Sequence, residues 1–63
     1  MERDMTYIIS NEREATSQSF TSKRAAYKAM TTLKRLGVHF TARVHDEHGC
    51  RFTGVDAIRY IKA

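Results

Sequence analysis

The stretch Ser22–Leu36, SKRAAYKAMTTLKRL, reads as an amphipathic helix, and the rest of the fold follows from what that helix must cover. At about 100° per residue, Ala26, Ala29, Met30, Leu33 and Leu36 share one side. Arg24, Lys28, Thr31 and Arg35 share the opposite side, and Lys23, Tyr27 and Lys34 lie along one flank. Thr21 or Ser22 is placed to cap the first turn, because a hydroxyl accepts from the unpaired amides there. Gly37 is placed to end the helix in the left-handed conformation, and Lys34 and Arg35 suit the negative end of the helix dipole. A solvated helix face ordinarily mixes acids with bases. This one carries bases alone, which points to an anionic partner.

Strand signals flank the helix on both sides. Upstream, Met5–Ser10 (MTYIIS) is rich in β-forming residues, with Tyr7 and Ile9 on one face and Ile8 on the other. Asn11–Glu14 is turn-like, and Ala15–Phe20 alternates weakly toward Phe20, so the two runs form a hairpin. Downstream, Val38, Phe40, Ala42 and Val44 alternate with His39, Thr41, Arg43 and His45. Asp46–Gly49 has the composition of a tight turn, and Cys50–Val55 returns as a fourth strand with Phe52 inward. Residues 57–62 read either as a short helix capped by Asp56, burying Ile58 and Ile61, or as an extension of the sheet. The expected architecture is α+β: β-β-α-β-β with a short C-terminal helix or strand, one helix packed on a small, mostly antiparallel sheet. Met30 and Leu33 should then meet Phe40, Phe52 and Tyr7 or Ile9 in the core.

Sixty-three residues make one domain with a thin core. A composition of 41% hydrophobic and 29% charged residues is globular rather than disordered. Met1–Asp4 read as a frayed polar leader, with Met5 as an alternative start. Cys50 is the only cysteine, so no intramolecular disulfide framework exists and a reducing cytoplasm is the expected location. No apolar run approaches the roughly 18 residues of a membrane span.

Charge is uneven along the chain, which has a formal net charge of +4. Residues 1–20 hold two basic residues against four acidic ones, and residues 21–63 hold nine against three. That is the footprint of a surface meeting phosphates or an acidic protein patch, although solubility alone also favours net charge. The candidate binding residues are Lys23, Arg24, Tyr27, Lys28, Lys34 and Arg35, joined by Arg43 and Arg51 if those two share a face of the sheet. Tyr27 would stack on an unpaired base or pack beside Met30. His39, His45, His48 and Cys50 fall within one hairpin, but their spacing matches no zinc pattern, so no metal or other cofactor is expected. A glycine-rich phosphate loop and a nucleophile elbow are both missing, and the chain is too short to wall off a dry pocket; the expectation is a protein without catalytic activity.

Tyr7-Ile8-Ile9, the polar Asn11-Glu12-Arg13-Glu14, the opening Lys23-Arg24-Ala25 and the strand from Phe40 to Val44 resemble the type I-F anti-CRISPR proteins of phages. That resemblance is mainly architectural, has no clear match in the second half of the chain beyond its hairpin, and carries over no individual functional residue. It implies one helix on a curved antiparallel sheet, and a protein that binds an RNA-guided surveillance complex in the host cytoplasm and interferes with target DNA. The leading expectation is an inhibitor that docks on a host protein or ribonucleoprotein complex. The alternative is a regulator that binds DNA or RNA directly, with weak sequence preference. Self-association as a homodimer is a further way for so small a domain to enlarge its core.

Overall fold

The computed structural model describes residues 5–63, so the expected leader at 1–4 lies outside the described residues. The chain runs β1 (Thr6–Asn11), β2 (Thr16–Phe20), α1 (Lys23–Arg35), β3 (Phe40–Asp46), β4 (Gly49–Thr53) and α2 (Gly54–Lys62). The four strands form one antiparallel sheet in the order β2-β1-β3-β4. β2 and β3 therefore run parallel on either side of β1, and α1 is the connection that crosses between them.

Register decides which side chains face the helices. Tyr7 stands between Phe20 and Val44, and Ile9 between Gln18 and Ala42. Cross-strand partners share a face, so these residues make the inner side of the sheet. Ile8, Ser10, Ser17, Ser19, Thr41 and Arg43 make the outer side, which no helix covers. On the inner side α1 packs over β1 and β2, α2 packs over β3 and β4, and the helices touch each other. Among the described residues, eight side chains are buried where they meet: Tyr7, Ile9, Ala26, Met30, Ala42, Val44, Ala57 and Ile61. Leu33, Phe40 and Phe52 pack against this cluster half-buried, as the alternation predicts. Burying a side chain of the size of Met30 or Ile61 stabilises by about 1.5–3 kcal/mol, so this short list carries most of the fold.

Both ends of α1 are closed by local signals. Ser22 is the N-cap, its hydroxyl accepting from the Ala25 amide at 3.4 Å. At the far end the Gly37 amide donates to the Lys34 carbonyl at 3.1 Å, and the Val38 amide to the Leu33 carbonyl at 3.0 Å. That pair of bonds is a Schellman closure, and it needs Gly37 at φ 71°, where a side chain would clash with the backbone.

Two expectations need correction, and one open alternative is decided. Leu36 is 66% exposed rather than part of the core, because it is the C-cap and the chain turns away there. The C-terminal segment is a full second helix that shares the sheet with α1, which settles residues 57–62 as helical. It starts at Gly54, with Thr53 as N-cap, so Asp56 sits inside the first turn instead of capping it. Gly54 stands at φ 58°, a left-handed step that turns the chain from β4 directly into α2.

Candidate functional site

The outward face of α1 follows from its burial. Ala26 and Met30 point into the core, which leaves Arg24, Lys28, Thr31 and Arg35 on the far side, all exposed. With a rise of about 1.5 Å per residue, Arg24 and Arg35 stand roughly 16 Å apart along the axis, with Lys28 between them. Among the described residues Asp46 Oδ2 forms an ion pair with Arg51 Nε at 3.4 Å, and Glu47 Oε1 lies 3.5 Å from His48 Nε2. Among those residues, then, no carboxylate pairs with a base of α1. The first turn of α1 also holds no acid, although Lys23 and Arg24 sit at the positive end of its dipole. The threonines between the bases are already satisfied: Thr31 donates its hydroxyl to the Tyr27 carbonyl at 2.9 Å, and Thr32 donates to that of Lys28 at 3.0 Å. What this face offers a partner is positive charge.

The flank of α1 nearest α2 adds to it. Tyr27, 46% exposed, and Lys34 line a shallow hollow of about 170 Å³ with Thr31, Phe40 and Lys62. Lys62 was not among the residues the sequence suggested, because its place beside Tyr27 and Lys34 depends on how α2 lies against α1. The only signal for it was the excess of bases in residues 21–63.

Three of the expected residues fall elsewhere. Lys23 turns toward α2, its Nζ lying 4.5 Å from the centre of the Tyr60 ring, and Tyr60 in turn stacks on Phe52 with ring centres 4.8 Å apart. Lys23 thus ties α1 to α2 and lines an open groove of about 630 Å³ with Tyr7, Asp46, Arg51, Phe52 and Tyr60. Arg43 and Arg51 do not share a face. A bulge between Val44 and His45 sets Phe52 opposite Val44 and Cys50 opposite His45, which leaves Arg51 as the extra residue of β4. Arg51 follows the outward Cys50, so it lies on the helix side and pairs with Asp46, whose side chain is only 2% exposed. A buried carboxylate demands such partners, and the His48 amide donates to its other oxygen at 2.8 Å. Arg43 stands on the outer side of the sheet, opposite Thr53.

The histidine hairpin is also spread out. His45 and Cys50 are cross-strand partners on the outer side, and His48 lies exposed in the turn. Among the described residues no group of three or more His, Cys, Asp or Glu side chains is arranged to hold a metal ion. Among the described residues no helix is long and apolar enough to cross a membrane. Comparison of the chain with models of protein families, with curated proteins and with solved structures finds no significant match.

Proposed function

We propose that this protein is a non-catalytic binding module that docks, through the outward face of α1, on an anionic surface of a host complex that handles nucleic acid, and inhibits it. One observation carries the reading: Arg24, Lys28 and Arg35 are exposed, aligned on a helix capped at both ends, and unpaired with any described carboxylate. A rigid row of desolvatable charges steers and orients an encounter with an oppositely charged surface. Arginine and tyrosine are also the side chains that most often anchor an interface, and Tyr27 and Lys34 extend the row toward α2. The resemblance to type I-F anti-CRISPR proteins supports an RNA-guided complex as the target. With eight buried side chains, the domain has little wall with which to exclude water from a reacting group.

The test is capture of one defined complex from host lysate, retained after nuclease treatment by the wild-type protein and lost by the double variant Arg24→Glu, Lys28→Glu. Circular dichroism controls for folding. A folded double variant that captures and inhibits as the wild type does would overturn the reading.

The exposed ring of Tyr27 beside Lys34 and Lys62 favours a second reading, direct binding of single-stranded nucleic acid. Titration of a fluorescent oligonucleotide separates the two. Direct binding falls steeply with salt and weakens in Tyr27→Ala, whereas an inhibitor of the first kind keeps its target when the nucleic acid is digested.

A further inference from the structure

We propose that β2 is the docking edge for a second copy of this chain, forming a two-fold dimer in which the two β2 strands run antiparallel and the sheet continues across the pair. The inference shares Arg24 with the function proposed above but rests on the edge of β2, and either can fail alone.

The two edges of the sheet are built differently. An open edge presents unpaired amides and carbonyls, and stable monomers protect it with charge, proline, bulges or cover. β4 carries such devices: the bulge at Arg51, the Arg51–Asp46 pair, and a chain that leaves directly into α2. β2, Thr16–Phe20, has none of them among the described residues. It is uncharged and free of proline, it pairs regularly with β1 over five residues, and four of its five residues are exposed.

Its sequence suits a copy of itself. In an antiparallel pair centred on Gln18, Gln18 faces Gln18, Ser17 faces Ser19, and Thr16 faces Phe20. Gln18 and Phe20 belong to the inner side, opposite Ile9 and Tyr7, so both copies carry their helices on the same face. Between β2 and α1 runs an open groove of about 440 Å³, with the half-buried Phe20, Ala29 and Leu33 among its walls. Pairing sets the grooves of the two copies against each other and closes them.

Charge selects the second copy over an unrelated strand. At this register the turn before β2, with Glu12 and Glu14, comes to the place where the other copy leaves β2 for α1. That first turn holds Lys23 and Arg24 and no acid. Each copy therefore brings carboxylates to a helix N-terminus that lacks them, where a negative charge is stabilising.

Sedimentation equilibrium from low to high micromolar concentration should show a reversible dimer. Ser19→Lys, which places a charge on the edge, should raise the dimer dissociation constant at least about tenfold without changing the far-ultraviolet spectrum of the folded chain. Glu14→Lys should weaken the dimer in the same direction, and more at low salt than at high salt. A positive test uses Gln18→Cys in a Cys50→Ser background. Directly opposed residues lie close enough to cross-link, so this variant should form an interchain disulfide on mild oxidation, faster than an Asp56→Cys control on α2. A monomer at every concentration, a dimer indifferent to Ser19→Lys, or cross-linking no faster than the control would each overturn the proposal. If Ser19→Lys does not fold, the cross-linking comparison decides.

Discussion

The two helices lie side by side on one face of the sheet, yet they are ended and held in different ways. α1 is closed by a serine at its start and a glycine just past its end, each making the backbone bonds that a helix terminus lacks. α2 has no side-chain cap: Thr53 stands in the cap position, but its hydroxyl makes no bond there, and the chain enters through a left-handed glycine. α2 is held instead by what surrounds it. Ala57 and Ile61 enter the common core, and Tyr60 is clasped between Phe52 and Lys23. A helix with good ends can give its outer face to charge. A helix without them depends on its neighbours.

The hardest blow to this contrast is removal of the two core anchors. Met30→Ala in α1 and Ile61→Ala in α2 should each destabilise by about 2–5 kcal/mol, a large share of what so small a domain has, measured by urea denaturation. Both should unfold the chain in one cooperative transition. If Ile61→Ala melts α2 alone and leaves the signal of α1 intact, the helices are separate units. A smaller effect is expected at the helix starts. Gly54→Ala should cost about 1–2 kcal/mol, because an alanine there has open space but a strained backbone angle. Ser22→Ala should cost only about 0.5–1 kcal/mol, at the low end for an N-cap because its bond is long. The reverse order would mean that α1 depends on its cap more than α2 depends on its entry. The smallest effect has the opposite sign. Arg24→Glu should stabilise the fold by about 0.3–1 kcal/mol by placing an acid at the start of α1, seen as a modest rise in Tm. If the function proposed above holds, the same change weakens binding, so stability and binding move apart.

Local chemistry explains which parts of this arrangement are legible in the sequence. α1 can be read from cap to cap because each signal lies within a turn of the backbone group it serves. β3 can be read because Phe40, Ala42 and Val44 are apolar and Thr41, Arg43 and His45 are not, whereas β1 also carries Ile8 on its outer side and β2 is polar on both except for Phe20. The start of α2 cannot be read in the same way, since a glycine ahead of a helix reads as a strand end until its φ is known. The grouping of the arginines fails for a similar reason. Whether Arg43 and Arg51 share a face depends on the register of the hairpin: with Asp46 opposite Gly49, Arg51 comes level with Val44 on the helix side, onto Asp46, while Arg43 stands on the outer side. The outward placement of Arg24, Lys28 and Arg35 is legible because it depends only on the period of one helix. The position of Lys62 is not, because it depends on the angle between two.

Three of the eight buried side chains are alanines: Ala26 on α1, Ala42 on β3 and Ala57 on α2, each essentially without solvent contact. Where layers meet through methyl groups the backbones stand close, and a larger residue has nowhere to go without lifting a helix from the sheet. The interior of this protein is therefore nearly closed to evolutionary drift. Divergence among descendants of such a chain would be channelled to its skin, where surface charges can change while the scaffold beneath stays the same.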